Sequence, residues 1–516
     1  MKKEIVVAIL IFVCIFPFVS QASKNNPQSM RDLIVLGLET NLGLQIEMIN
    51  ISHGIEAIEI ENSAFDSEFF AQAGYDRSST PYDSSLSSLV TSNSEQYSGQ
   101  VGISKHFTTG LTTSLALNST RVSDNDYSNN LDTNYRATLL VDLNQPLLRD
   151  LGTSINTTNL EIARNHQRQV SLTSLLQAQN LILQLESAAR QIAGETEITL
   201  LRQEALELAY DLYLDNRKRF SAGAIPISEV QEAETAQAGR ELSLSLSKQS
   251  RDLLIEELNR QLNYSLNENF KPAKIVHFEL SAAVIKYPEL PQLFESARLK
   301  RLEFKIHDYT LKNSSLQQNY LRNQLKPQLD FNFQAGINGL SGDARDTTSA
   351  SRYSGSWLNS FGSMSDADGY QWGAGLKFSL PLGNRAAKSR YRQSKLQLKQ
   401  EHYRQQDLEA ALKNVLLQQQ LNVSHALEQL RITEHFSALA RTTLRQEQRR
   451  LEEGLSDTFR MISFQSKMIE AKIDRVNALT RYQLAIAQME FARGNIFERH
   501  GIILTNNNEE LTLENI

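Results

Sequence analysis

The sequence predicts a mixed α and β fold, mainly α, organised as an internal duplication around two very long helices. Three observations carry this. Residues 153–219 and 384–450 are proline-free helical stretches of about equal length. Each follows a zone of period-two alternation, 65–145 and 327–381. Each ends in a similar phrase: RKRFSAGAIPISEV from Arg217 and QRRLEEGLSDTFRM from Gln448 both put basic residues ahead of a glycine and then restart a helical pattern. The two glycines, Gly223 and Gly454, are nearly half a chain apart, as a duplication requires.

The order along the chain begins with Lys2 and Lys3, an uncharged run from Ile5 to Val19, and Ser20-Gln21-Ala22. This reads as a signal peptide over 1–22, cleaved near Ala22; the alternative is an N-terminal anchor, for which the run is short. The single cysteine, Cys14, lies inside that run, so the expected mature chain has no disulfide, thiolate metal site or cysteine nucleophile. No later apolar run approaches a membrane-spanning helix, so a membrane role would need a β-barrel. A net charge of -6 argues against nucleic acid as a partner.

The first repeat is expected at 23–263, with a short helix over 29–63, strands over 65–145, the long helix 153–219 and a return helix 228–263. A linker, 264–287, joins it to a second repeat at 288–493. That repeat has a short helix 288–324, strands 327–381, the long helix 384–450 and a return helix 457–493. Residues 494–516 are expected to be a flexible tail. Candidate strands near 65–78, 98–107, 111–122 and 134–145 alternate apolar and polar residues. Tyr135, Ala137, Leu139, Val141 and Leu143 share one face; Arg136, Thr138 and Asp142 share the other. The pattern suits a barrel wall between lipid and a wet lumen, or a soluble sandwich. The connections 79–97, 123–133 and 339–368 are long and polar, whereas 108–110 is short, so long and short loops fall on opposite ends.

A 67-residue helix spans roughly 100 Å, more than a compact domain. The final helix has a heptad seam through Met461, Phe464, Met468, Ala471, Arg475, Ala478, Tyr482, Ala485, Met489 and Ala492. The second long helix repeats the rhythm at Val423, Ala426, Leu430, Thr433, Ser437, Ala440 and Leu444. The first carries two stripes, Leu201, Ala205, Leu208, Leu212 and Leu206, Tyr210, Tyr213. Helices with two seams fit a tube wall; an antiparallel coiled-coil bundle uses the same heptads.

Several short motifs complete a resemblance. Pro146-Leu147 and Pro381-Leu382 lead from each strand zone into its long helix, Tyr287-Pro288-Glu289-Leu290 opens the second half, and Lys326-Pro327-Gln328-Leu329 enters its strands. Phe220-x-x-Gly223 is followed by Ser228-Glu229-Val230. In order and spacing these resemble the TolC-like outer-membrane efflux protein family over nearly the whole mature chain. The resemblance implies a homotrimer with one transmembrane β-barrel in outer-membrane lipid and one α-barrel in the periplasm. It implies a passive exit duct, for efflux or type I secretion, served by a periplasmic adaptor (membrane fusion protein) and an inner-membrane pump. No enzyme activity, metal or cofactor is expected. A periplasmic coiled-coil structural or adaptor protein is the alternative.

Two departures from the family follow. Its members usually contribute four strands per chain, whereas six candidates occur here, so either the trimer barrel has eighteen strands or one first-half hairpin lies outside the lipid; the second is the expectation. The acidic position six residues after the turn glycine is Glu229 in the first half but Arg460 in the second. With Asp457 these are the candidate periplasmic tip or gate, where Glu229–Arg460 ion pairs would hold the end closed. Gly223 and Gly454 are expected as left-handed turn residues. Arg217, Lys218, Arg219, Arg449 and Arg450 beside them are the expected adaptor contact, or complements to the helix dipole. Pro146 and Pro381 mark the strand-to-helix junctions.

Overall fold

A computed structural model describes residues 29–81, 91–124, 131–263, 284–345, 352–366, 369–502, 504–507 and 510–513. The expected signal peptide and residues 264–283 of the expected linker lie outside them. The chain contributes to two compact units: residues 51–170 with 307–405, and the preceding, intervening and following segments.

The duplication is visible in helix lengths. In the first half, α1 (Met30–Thr40) and α2 (Leu42–Asn62) precede strands β1 (Ser67–Pro81), β2 (Thr91–His106), β3 (Thr112–Asp124) and β4 (Leu131–Pro146). A short α3 (Thr153–Asn156) leads to α4 (Thr158–Ser221), and α5 (Ile227–Gln261) returns. In the second half, α6 (Leu290–Lys300) and α7 (Leu302–Asn323) precede β5 (Gln328–Ala344) and β6 (Gly369–Ser379), with α8 (Trp357–Ser365) between the strands. Then come α9 (Arg385–Glu452) and its return, α10 (Thr458–Ala492). The long helices have 64 and 68 residues and the returns 35 each.

The short helix expected before each strand zone is instead broken in two, at Asn41 and at Arg301. Both breaks make the same kind of bond. Asn41 Nδ2 donates to the Gln261 carbonyl at 2.9 Å, and Arg301 Nη1 donates to the Ala492 carbonyl at 3.3 Å. Each break thus satisfies a carbonyl at the C-terminus of its own half's return helix, where helices leave acceptors unpaired.

The strand zones form one six-stranded antiparallel sheet in sequence order, β1-β2-β3-β4-β5-β6. Strands run further than their alternation suggests. β2 begins at Thr91, inside the polar stretch 79–97, because polar residues still pair when the backbone ladder continues. Likewise 339–368 is not one open connection: β5 continues to Ala344, and α8 follows.

The helical core is built on the predicted seams. Met461, Met468, Ala471, Ala478, Tyr482, Ala485, Met489 and Ala492 are buried, and Arg475 is the exposed interruption. Val423, Ala426 and Leu430 cluster with Ala478, Tyr482, Ala485 and Met489 of α10, and Leu444, Leu201, Ala205 and Leu212 are buried in one cluster with Met461 and Met468. The other α4 stripe is less covered, with Tyr210 46% exposed.

The tail is not loose throughout. In α11 (Ile496–Arg499), Ile496 and Phe497 are buried together with Ile502 against Leu33, Ile34, Ile182 and Leu185. A charged cluster holds it as well. The fully buried Glu186 of α4 meets Arg499 Nη2 at 3.1 Å, His500 Nε2 at 3.0 Å and Arg190 Nη2 at 3.4 Å. Burial alone pushes the Glu186 carboxyl up. The His500 hydrogen bond and the charges of Arg499, His500 and Arg190 outweigh it and hold the group below its ordinary value. Beyond this, β7 (Leu504–Asn507) and β8 (Glu510–Leu513) form a separate hairpin.

Candidate functional site: a two-faced sheet and a two-hairpin tip

The register of the sheet sorts its side chains into two faces, because neighbours in a ladder point the same way. One row runs Trp372, Ala335, Val141, Leu115, Ile103, Phe69, and the next runs Tyr370, Ile337, Leu139, Leu117, Val101, Ala71. The same face carries Phe331, Phe333, Leu376 and Phe378 at one end and Tyr75, Tyr97 and Tyr135 at the other. Much of it is open: Phe69 is 70% exposed, Trp372 70%, Leu376 67% and Ile103 51%. The opposite face carries Gln72, Gln100, Asn118, Thr138, Asn338 and Gln371 and is joined by polar bonds, Thr138 Oγ1 donating to Asn338 Oδ1 at 2.9 Å. A cavity of about 490 Å³ opens on this face between Ser114, Asp142, Asn144, Asn332 and Gln334.

The apolar band slides along the sheet. On β6 it is centred on Ala374, whose row reaches β1 at Ser67 through Phe333, Leu143, Thr113 and Lys105. On β1 the band runs from Phe69 to Tyr75, centred five residues further along. Five residues over five strand steps is one per step, so the band is level only if the strands tilt by about 35°, taking 3.3 Å per residue and 4.8 Å between strands. Tilts of about 35–45° are those of membrane barrels. The expectation that one first-half hairpin stands apart from the rest is corrected in so far as β1 and β2 belong to the same six-stranded sheet and carry the same apolar band in continuous register.

The sheet hands over to helix at Pro146, which still pairs with Asp330, and at Pro381, two residues beyond β6. Asp150 has φ 64° and Asn384 φ 40°, so both junctions turn through the left-handed region. The first is pinned: Asp150 N–H donates to Asn323 Oδ1 at 2.8 Å, and Asn156 Nδ2 donates to the carbonyls of Asp150 and Gly152, each at 2.9 Å.

At the C-terminal ends of the two long helices the turns are alike. Gly223 has φ 73° and Gly454 φ 75°. Ala224 N–H donates to the Arg219 carbonyl at 2.9 Å, and Leu455 N–H to the Arg450 carbonyl at 2.7 Å; Gly223 and Gly454 donate to Phe220 and Leu451. This is the Schellman closure, which needs a left-handed residue where each glycine stands. Arg217, Lys218, Arg449 and Arg450 are exposed and Arg219 is half-buried.

The chain does not pair Glu229 with Arg460. Arg460 Nε lies 3.1 Å from Glu447 Oε1 of its own hairpin. Glu229 Oε2 accepts from Thr458 Oγ1 at 2.7 Å. Asp457 caps α10 by accepting from Arg460 N–H at 2.8 Å, which satisfies a free helix donor. A buried link then ties the hairpins: Asn216 Nδ2 donates to Thr458 Oγ1 at 2.8 Å and to the Glu229 carbonyl at 3.1 Å. Asn216 and Thr458 are fully buried, and Glu447 nearly so. Sequence reasoning missed these three. A signal existed: the spacing that carries Gly223 to Gly454 also carries Asn216 to Glu447 and Glu229 to Arg460. Equivalent positions are thus bonded within each hairpin, Asn216 to the Glu229 carbonyl and Glu447 to Arg460, neutral once and ionic once.

With this geometry in view, comparison with solved structures is decisive for the fold. The outer-membrane channel OprN matches with a TM-score of 0.64 at 14% identity, over 90% of each chain. The chain has the outer-membrane channel fold. CusC, described for transmembrane channel formation, matches at 0.63 and 9% identity over 91% of this chain and 92% of its own. The Campylobacter jejuni outer membrane channel CmeC matches at 0.61 and 13%, over 90% and 85%. No protein-family model matches the sequence, and neither does any curated protein. The channel fold is therefore legible in three dimensions at an identity where whole-sequence matching fails.

Proposed function

We propose that this chain is one protomer of a homotrimeric outer-membrane channel, a passive exit duct that extends into the periplasm. The observation that carries the proposal is the continuous apolar face across all six strands, opposed by a polar face. Water on the apolar side would leave a band of exposed aromatic and aliphatic groups far beyond the patches soluble proteins keep. Both sheet edges, β1 and β6, have no strand partner among the described residues, and a bilayer requires closure. Three copies would close eighteen strands, a barrel about one and a half times as wide as twelve strands give.

The helices support the same closure. Leu396, Tyr403, Leu417, Leu421, Ile432, Phe436 and Leu439 leave an exposed apolar stripe along α9, and Leu242, Leu246 and Leu253 another on α5. Such seams fit helices of sister copies in an α-barrel. The adaptor and pump come from the family resemblance, and the turns at Gly223 and Gly454, with their basic neighbours and the exposed Phe220, Ile227, Leu455 and Phe459, are the surface proposed for the adaptor. The chain would supply the path and the pump the energy, with no catalytic step on this chain. A periplasmic coiled-coil adaptor is disfavoured because it has no use for a lipid-facing sheet.

Membrane fractionation with gel electrophoresis of unboiled protein, followed by conductance in planar bilayers, tests this. The expected result is a heat-sensitive trimer in the outer membrane that conducts. A soluble monomer that never conducts would overturn it.

A further inference from the structure

Helix α8 is not needed to build a barrel wall, and its position is unusual for a loop. β6 begins at Gly369, opposite Asn338, while β5 continues to Ala344. Among the described residues, β5 beyond Asn338 therefore has no strand on one side, an edge that soluble and membrane proteins alike must cover. α8 and its flanking loop cover it. Leu340 N–H donates to Ser363 Oγ at 2.8 Å, and Ser363 Oγ donates back to the Leu340 carbonyl at 3.1 Å. Ser341 Oγ donates to the Ser356 carbonyl at 2.9 Å, and Gly355 N–H to the Gly342 carbonyl at 2.8 Å. The Ser360 carbonyl and Met364 N–H stand where a Cβ at residue 339 would be, so the approach requires glycine there.

The face on which α8 sits is decisive. Gly339 and Ser341 share the parity of Phe333, Ala335 and Ile337, the apolar face. Trp357 Nε1 donates at 2.8 Å to Ser119, which lies on that face of β3. Ala137, in the same row as Ser119 and Gly339, is fully buried. α8 therefore rests on the lipid-side surface, beside the row Tyr135, Arg121, Tyr97, Tyr75 that ends the apolar band. Its sequence, WLNSFGSMS, has no charged residue. Trp357 is 47% exposed and Leu358 70% exposed, and Phe361 meets Trp357 edge-on at 5.0 Å.

We propose that α8 is an interfacial helix, seating Trp357 and Leu358 in the headgroup–acyl boundary of the outer leaflet. The proposal rests on the membrane-barrel reading above. Lipid is the occupant because α8 docks on the apolar face itself, over Ala137 and against Ser119, and leaves Trp357 and Leu358 exposed beside the tyrosine row that ends the band. Tryptophan also suits that boundary, with its N–H bonded to Ser119 and its ring free for the acyl region. The helix would thus do two things with one surface: shield the open edge of β5 and fix the height of the barrel in the bilayer.

The test uses the two tryptophans of the chain, Trp357 and Trp372. The full-length trimer is reconstituted in phosphatidylcholine vesicles with and without spin-labelled phosphatidylcholine. Trp372→Phe reports Trp357 alone, and Trp357→Phe reports Trp372 alone. The expected result is loss of emission from both, with Trp357 lost most to a label near the headgroup. In the Trp372→Phe background, Gly339→Ala should lift α8, so that Trp357 loses lipid quenching and becomes accessible to iodide. Quenching of Trp372 without Trp357 would overturn the interfacial helix and leave the barrel standing. Quenching of neither would overturn the membrane reading on which it rests. Unchanged Trp357 quenching in Gly339→Ala would overturn the docking on β5.

Discussion

Thr458→Val removes a single hydroxyl from the tip while keeping side-chain volume and β-branching. That hydroxyl accepts from Asn216 Nδ2 at 2.8 Å and donates to Glu229 Oε2 at 2.7 Å, joining the hairpins of the two halves. Without it, the fully buried Asn216 keeps only its bond to the Glu229 carbonyl at 3.1 Å, and its Oδ1 has no hydrogen-bond partner already. The Glu229 carboxylate is only half-buried and can take up water. The cost is therefore mainly that of one stranded buried donor, about 1–3 kcal/mol. At 1.4 kcal/mol per factor of ten, local opening of the tip should become about 5–150 times more frequent. Amide hydrogen exchange of Thr458 to Met461, read by mass spectrometry, measures this directly. Adding Asn216→Leu should recover part of the loss, because removing both polar partners costs less than stranding one. A change in exchange below roughly twofold in Thr458→Val would refute the reasoning, since a buried polar link of this kind cannot be that cheap to break.

Other expectations can be checked independently. Arg460→Glu puts a second carboxylate against the nearly buried Glu447 and should raise single-channel conductance by loosening the tip; the swap Glu447→Arg with Arg460→Glu should restore it, and unchanged conductance in the single variant would remove Arg460 from any gate. Gly223→Ala and Gly454→Ala should each lower stability by about 1–2 kcal/mol through backbone strain alone, because no atom lies within 4 Å of the added Cβ; thermal unfolding measures it, with Asn milder than Ala. Leu117→Arg should block trimer assembly on unboiled gels, at about 2–4 kcal/mol per copy, while Asn118→Arg, one residue along and on the polar face, should assemble; equal behaviour would contradict the face assignment. Glu186 has a folded pKa below its unfolded one, so its contribution is complete above the ordinary carboxylate value and is lost as pH falls through the folded value. Glu186→Gln should flatten the acid limb of the stability profile, and an unaltered limb would show that the cluster holding the C-terminal segment is not acid-sensitive.

Much of the architecture was legible because it repeats. Helix lengths, the two turns and the seams follow from periodicity and from glycine at positions where φ must be positive. The strand zones were legible where apolar and polar residues alternate, as in Tyr135–Leu143. They were not where a ladder continues through polar residues, as at Thr91–Tyr97, or where a connection folds on itself, as in α8. At the tip, Gly223 and Gly454 were readable from local conformation, whereas Asp457, expected at a gate, proved to be the cap of α10. The pairing of Arg460 with Glu447 and of Glu229 with Thr458 was not, since each acidic group had several cationic or hydroxyl neighbours within reach in sequence.

The sequence by itself determined the duplication, the long helices, the turns and the existence of two-faced strands, because these depend on backbone rules and on spacing along one segment. Only the tertiary structure decided that six strands form one sheet with one shared apolar face, that the tail folds onto Glu186, and which side chains meet at the tip. Those outcomes depend on register and on contacts between segments hundreds of residues apart. A one-residue slip would reverse every side chain in a strand, and no local pattern records which neighbour a strand will choose.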